Sequence, residues 1–326
     1  MANHMDVVSL GEILIDMFPV EIGRKLSDVS AFYPKPGGAC ANVAVGVSRL
    51  GKHSAFIGKV GNDPFGYSLV NALKENGVET RCMKMDEKIR TSLAFIAMPD
   101  ENSAEFIFYR NPGADLCLRS DELDSSIFEN AGAFHCGSLT LVDEPARTAQ
   151  YTAVDLAKKA GAFISFDVNH RPRLWNDEGD ALNQIWKMVG LADLLKVNEH
   201  ELELLTGSKI PEVGGEILLK KGVKLVAITL GTKGSFFISS RTKGHIPPYT
   251  VTTVDAIGCG DAFIAGLLSY LVGKTDNHMV LDESVIRESF TYANAAGALT
   301  ATKRGVIPAL PTGREVDGFL HDHLGH

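Results

Sequence analysis

Short runs of Val, Ile, Leu and Phe alternate along this chain with segments whose apolar residues recur at helical spacing, and that alternation restricts the fold more than any other feature. Val7–Ile15 and Ser54–Val60 read as strands, and each is followed by a helical pattern, at Cys40–Leu50 and Phe65–Asn76. Further strands are predicted at Ala133–Leu139, Ala162–Val168, Leu194–Val197 and Leu225–Leu230. Helices are predicted between or after them at Arg147–Ala160, Ala181–Leu191, Glu199–Leu205 and Val213–Lys221. A helix is the usual crossover between parallel strands, and strands covered on both faces become continuously apolar. The chain is therefore expected to be α/β, with a mostly parallel central sheet flanked by helices, as one domain over residues 5–322. Two regions break the pattern. Ser92–Pro99 and Glu105–Arg110 read as a hairpin around a turn at Asp100-Glu101-Asn102-Ser103, and Glu21–Pro36 is a second extended piece. Together, from about 12–36 and 90–116, they are expected to form a small β lid over one edge of the sheet.

The chemistry is concentrated in Asp255-Ala256-Ile257-Gly258-Cys259-Gly260-Asp261-Ala262-Phe263. A helical pattern begins at once, with Phe263, Ile264, Leu267, Leu268 and Leu271 on one side, so Gly258, Cys259 and Gly260 fall at a helix N-terminus. Unpaired N–H groups and the positive end of the dipole favour an anion there, and two glycines let a phosphate approach the backbone. Asp261 then stands beside the anion, placed to take a proton from an attacking hydroxyl. The plainer alternative is a turn with Asp261 as a helix cap. Two other phosphate motifs fail on spacing. Gly273-Lys274-Thr275 lacks the preceding glycine of a P-loop, where Leu268 stands, and a dinucleotide fingerprint starting at Gly258 would need glycine at Phe263.

A net charge of −8 argues against a nucleic-acid surface. No run of about 18 apolar residues occurs, so neither membrane insertion nor secretion is expected and the protein is placed in the cytoplasm. Cys40, Cys82, Cys117, Cys136 and Cys259 are odd in number and lack paired spacing, which fits free thiols. His321, His323 and His326 read as a solvated tail rather than a metal cluster.

Asp255–Phe263 resembles the second signature of the PfkB (ribokinase-like) carbohydrate kinases. Gly37-Gly38-Ala39-Cys40-Ala41-Asn42-Val43-Ala44, followed by Gly58-Lys59-Val60-Gly61-Asn62-Asp63-Pro64-Phe65-Gly66, resembles the first. Between them Asn198-Glu199-His200-Glu201 is similar to the family's Asn-x-x-Glu, and Thr229-Leu230-Gly231-Thr232-Lys233-Gly234 to its nucleotide loop. Phe108-Tyr109-Arg110-Asn111-Pro112-Gly113-Ala114-Asp115, Leu174-Trp175 and Asp167-Val168-Asn169-His170-Arg171 look most like the fructokinases of that family, with Val168 in place of the usual proline. Ile257 and Cys259 also depart from the common threonine and alanine, while both glycines and the acid are kept.

The resemblance implies an ATP-dependent sugar kinase using Mg²⁺, with D-fructose and ATP as substrates, Asp261 as base and the amides of 258–260 as anion hole. A 2-keto-3-deoxygluconate kinase is the nearest alternative, and a silent binding protein on the same fold is the alternative from another class. Asp16 is expected to accept from sugar hydroxyls, Gly37 and Gly38 to bring the backbone to the sugar, and Asn42 to donate and accept there. Asn42 also reads as a helix-start cap. Phe108 and Arg110 are expected at the sugar and Arg171 at a phosphate. Asn198 and Glu201 are expected at the nucleotide, with Glu201 orienting Mg²⁺ through water; a capping box is the alternative for that pair. Thr229, Gly231 and Gly234 are expected to flank the phosphates and ribose, and Asn294 the adenine. The resemblance further implies a potassium site from Asp255 and the carbonyls of Ile257, Ala301 and Arg304, although Ala309 stands where a ligand serine can occur. It also implies a homodimer formed through the lid.

Overall fold

The structure is a computed structural model and describes residues 4–100, 103–275 and 278–324. In chain order the strands are β1 (Val7–Leu10), β2 (Leu14–Pro19), β3 (Phe32–Gly37), β4 (Ser54–Gly61), β5 (Met83–Asp86), β6 (Leu93–Asp100), β7 (Ser103–Tyr109), β8 (Ala133–Gly137), β9 (Phe163–Asp167), β10 (Leu194–Asn198), β11 (Leu225–Thr229), β12 (Ser235–Ser239) and β13 (Lys243–Ile246). The helices are α1 (Ala39–Arg49), α2 (Pro64–Glu75), α3 (Ala146–Lys159), α4 (Glu178–Val189), α5 (Glu199–Thr206), α6 (Pro211–Leu219), α7 (Cys259–Leu271), α8 (Glu283–Ala301) and α9 (Gly313–Leu324).

Nine strands form the main sheet in the order β13-β12-β11-β10-β9-β8-β1-β4-β5. Every pairing from β11 to β5 is parallel, and β12 and β13 add an antiparallel edge. Period-2 alternation sends side chains to both covered faces. In β11, Val226 and Ile228 join the core beneath α3, α4, α5 and α6, while Leu225 and Ala227 join the core beneath α1, α7 and α8. Both faces being buried explains why these strands read as unbroken apolar runs.

The lid is a four-stranded sheet in the order β3-β2-β6-β7. β6 and β7 form the expected hairpin, whose turn residues 101 and 102 lie outside the described residues. Its centre was not foreseen: β2 pairs parallel with β6 and antiparallel with β3. The single strand expected over Val7–Ile15 is in fact two, broken at Gly11-Glu12-Ile13, so that β1 stays in the main sheet and β2 enters the lid. Position 11 requires glycine, since a Cβ there would meet the Cys40 side chain at 2.5 Å. Ile15 of β2 packs with Leu69 and Leu73 of α2, which anchors the lid to the body.

Candidate active site

The carboxyl ends of the parallel strands deliver their following residues to one cleft of about 860 Å³. Glu12 follows β1, Asn169 and Arg171 follow β9, Asn198 ends β10 and Thr229 ends β11, and all five line it. This is the edge at which open α/β sheets bind ligands. The inner face of the lid closes one side with Asp16, Phe106 and Phe108, and α7 and α8 close another with Phe263, Asn294 and Gly297.

At the start of α7, Gly258 is the N-cap with φ of 83°, a left-handed geometry that glycine adopts without strain. A Cβ there would also lie 2.5 Å from Val306 Cγ1. The turn aims the first amides of α7 into the cleft, where Gly258, Cys259, Gly260 and Asp261 all form wall. Asn42, on the first turn of α1, donates from Nδ2 to Asp261 Oδ2 at 2.7 Å, which fixes the carboxylate. Burial pushes the Asp261 carboxyl up to about 6, against the Asn42 hydrogen bond, which favours the ionised form. The same burial, with Asp255 and Asp261 nearby, lifts the Cys259 thiol to about 12, so it is no nucleophile at neutral pH.

Two more carboxyls stand at the lid end of the cleft. Asp16 is pushed up to about 7 by burial and then by the negative charges of Asp261 and Glu12. Glu12 is 1% exposed and is likewise raised by burial to about 7. Its Oε1 accepts from Ala39 N at 2.5 Å, which holds the start of α1, while its Oε2 has no partner. Asn42 Oδ1 is unpartnered too. Both residues line the cleft, and two unpartnered acceptors there suit a ligand that donates from hydroxyls.

On the opposite side, Lys196 of β10 places Nζ 3.0 and 2.9 Å from the two oxygens of Asp167 at the end of β9. Both side chains are buried, and Lys196 lines the cleft. Behind them His135 Nδ1 pairs with Ser165 Oγ at 3.0 Å, and burial holds the imidazole down to about 4, so it is neutral.

Most of the residues singled out in the sequence meet on this wall: Asp16, Gly38, Asn42, Phe108, Arg171, Asn198, Thr229, Gly231, Gly234, Asn294 and the 258–261 loop. Five do not. Arg110 is buried behind the wall, paired through Nε and Nη2 with Asp115 at 2.7 and 2.5 Å and donating to the Leu139 carbonyl. Gly37 serves packing, since a Cβ there would overlap Asp16 Oδ2. Gly38 lines the cleft but has the same kind of constraint, with φ of 110° and a Cβ that would sit 2.5 Å from the Glu12 carbonyl. Glu201 accepts from Asn198 N and His170 N at 2.8 and 3.0 Å while Asn198 accepts from Glu201 N, so the capping-box alternative is the one formed. Asp255 accepts from Ile257 N and Gly305 N, and the Ala301 carbonyl accepts from Val254 N and Asp255 N, so that carbonyl is already occupied; Arg304 is also off the wall. Asn294 Nδ2 donates to the carbonyls of Ile246 and Pro247, which positions the adjoining 248–253 strip along the cleft. That strip, Glu12, Lys196 and Phe106 were not singled out beforehand.

The pattern that defines the pfkB family carbohydrate kinases matches residues 5–313. A protein described as probable fructokinase-4 of Arabidopsis thaliana is 43% identical over 315 residues, covering 96% of each chain. Fructokinase-1 of Zea mays is 44% identical over 313 residues, 95% of this chain and 96% of its own. Among solved structures, the fructokinase of Xylella fastidiosa with bound ATP superposes with a TM-score of 0.89 at 30% identity, covering 98% of both chains. A fructokinase double mutant of Vibrio cholerae O395, with fructose, ADP and potassium bound, gives 0.88 at 32% identity over 98% of this chain and 99% of its own. With the loop, the acid and the two-sheet architecture all in place, this chain belongs to the pfkB family of carbohydrate kinases.

Proposed function

We propose that this protein is an ATP-dependent fructokinase, transferring the γ-phosphoryl group of ATP to the 6-hydroxyl of D-fructose. The observation that carries the reading is the Asn42–Asp261 pair beside the amides of α7: a fixed base and an anion-binding helix end on one wall of one cleft. Asp261 takes the hydroxyl proton as the new P–O bond forms, and the amides of Gly258, Cys259 and Gly260 stabilise charge on the moving group. Asp16, Glu12 and Asn42 read the sugar, with Phe106 and Phe108 of the lid excluding water. The long arm of the cleft, past Thr229, Gly231 and Gly234 to Asn294 and Gly297, accommodates the nucleotide.

Among the described residues no group of three or more His, Cys, Asp and Glu side chains is arranged to hold a metal ion. That fits Mg²⁺ arriving on the nucleotide and keeping its waters, with Asn198 at the wall and Glu201 behind it. When bound, Mg²⁺ supplies charge neutralisation across the phosphates. A potassium ion would be held by Asp255 and the carbonyls of Ile257 and Arg304. Of the two cations that could hold the carboxylate of 2-keto-3-deoxygluconate, Arg110 is already neutralised by Asp115, which leaves Arg171 alone on the wall and favours a neutral hexose.

The outer face of the lid supports a homodimer: Ile107 and Tyr109 are exposed, and Tyr109 and Phe32 both pack edge-on against Phe95. Five free thiols fit a reducing cytoplasm, and no helix among the described residues is long and apolar enough to cross a membrane. The test is coupled ADP release with Mg²⁺-ATP against fructose, 2-keto-3-deoxygluconate, ribose, glucose and adenosine. Fructose should give the highest kcat/KM; chief activity on the keto acid would change the substrate, and none on any would favour a silent binding protein.

A further inference from the structure

A lysine inside a parallel strand, with both sheet faces covered, is out of place unless a charge holds it. Lys196 is held by Asp167, whose two oxygens engage two of its three ammonium donors. The ammonium also lies close to the anion loop. A Cβ built on Gly260 would lie 3.2 Å from Nζ, so the ammonium stands directly across from the anion loop. Nζ also feels Asp261, and Asp261 feels Nζ, which puts the two groups on the same volume of the cleft. Gly260 itself is thereby explained, because any larger residue would push into this cation.

We propose that Lys196 is a catalytic residue whose remaining N–H contacts the phosphoryl group in flight, with Asp167 as its positioning residue. The inference rests on the kinase reading above. In the step, the bond from the γ-phosphorus to the bridging oxygen breaks and its electron pair stays on ADP. A bond from the acceptor hydroxyl oxygen to phosphorus forms, and the hydroxyl proton goes to Asp261. Lys196 keeps its protons throughout. It supplies a fixed positive charge facing the loop amides, so the equatorial oxygens are held from two sides. Asp167 keeps the ammonium from collapsing onto Asp261, which would silence the base. The charged and titratable groups facing Nζ are Asp167 of β9, Glu201 of α5 and Asp261 of α7, with His135 and Arg171 close to the same carboxylates.

Lys196→Met alone would leave Asp167 as an unpaired buried carboxylate and could fail for that reason. The informative variants are therefore Lys196→Met/Asp167→Asn and Lys196→Arg, with Asp167→Asn as control, in the full chain with Mg²⁺-ATP and fructose. The expected result for the double variant is kcat lowered about 10²-fold, the loss typical of one transition-state donor. Its KM for fructose should stay within about threefold of wild type. The acidic limb of its kcat/KM profile should not move to higher pH, because the Asp167 charge that raises Asp261 leaves together with the Lys196 cation that lowers it. Lys196→Arg should recover part of kcat. A second readout is calorimetric: ADP with aluminium fluoride and fructose should bind the double variant more weakly by a similar factor, while ADP alone binds equally. A double variant with wild-type kcat overturns the assignment alone. A wild-type protein inert toward fructose and every other acceptor would overturn the kinase reading and this inference with it.

Discussion

Replacing Asp261 by Asn should abolish turnover and make the protein more stable at the same time. Asn keeps the shape of the side chain, and its carbonyl oxygen can still accept from Asn42 Nδ2, now donating at 2.7 Å to Oδ2. What vanishes is the proton acceptor, which costs about 10²-fold to 10⁴-fold in kcat, or about 3 to 5 kcal/mol of barrier. The gain in stability comes from the same burial that tunes the base. Lifting a carboxyl from 3.8 to about 6 means that its charge opposes folding. The penalty is absent below pH 3.8, grows as pH rises toward 6, and is constant above that. Its ceiling is about 3 kcal/mol. Water in the cleft screens part of it, leaving about 1–3 kcal/mol for the neutral amide to recover. At about 2 °C per kcal/mol for a chain of this size, the melting temperature should rise by about 2–6 °C at pH 7.5. Coupled ADP release and calorimetric melting, run on the same preparation, read the two effects. Turnover within tenfold of wild type would refute the base assignment, and a fall in melting temperature would refute the claim that the charge is held at a cost.

The acidic limb should be steep: Asp261 titrating near 6 alone lowers kcat/KM about tenfold from pH 7 to pH 5, and Asp16 and Glu12, both raised to about 7, add to the fall, whereas carboxyls at their ordinary values would leave it nearly flat over that range. Gly258→Ala puts a Cβ 2.5 Å from Val306 Cγ1 at φ of 83°, so it should destabilise by about 1–3 kcal/mol and lower kcat at least tenfold, read by melting and turnover. Gly37→Ala must displace Asp16 and should raise the KM for fructose about tenfold or more while leaving ADP affinity unchanged by calorimetry; equal KM values would remove Asp16 from sugar binding. If the proposed lid-mediated homodimer forms, Tyr109→Lys on the exposed lid face should give a monomer in sedimentation velocity where the wild type sediments as a dimer; two monomers would refute that interface.

What the sequence disclosed was local chemistry. The 258–261 loop is contiguous, its glycines have one purpose, and the helical period starts immediately behind it, so its geometry could be read from nine residues. The parallel sheet was legible because burial on both faces leaves an unbroken apolar signature in each strand. Lys196 was hidden for the complementary reason: it is explained only by Asp167, 29 residues away on the neighbouring strand, and no local pattern announces such a pair. Glu12 was lost inside an expected strand that ran through it, because the partners that draw Leu14–Pro19 into the second sheet, β3 and β6, lie further along the chain. Arg110 sits in a lid-like motif that suggests sugar contact, yet Asp115 five residues on claims its guanidinium, a pairing set by the backbone's path and invisible in the spacing. For Glu201 both outcomes fitted the same four residues, and only the positions of the backbone amides decided between them.

The two halves of the site are built with separate tools. Asp16 and the glycine that makes room for it are on paired strands of the small sheet, together with Phe106 and Phe108, whereas Asn42, Lys196 and the loop ahead of α7 belong to the body. Each half adjusts its own geometry internally, Asp16 against Gly37 and Asp261 against Asn42. Substitutions on β2, β3 and β7 therefore change the small sheet's share of the acceptor contacts, while Asn42, which also holds Asp261, keeps the body's share in place. Such an arrangement lets one body be fitted with new acceptors by redesigning four short strands.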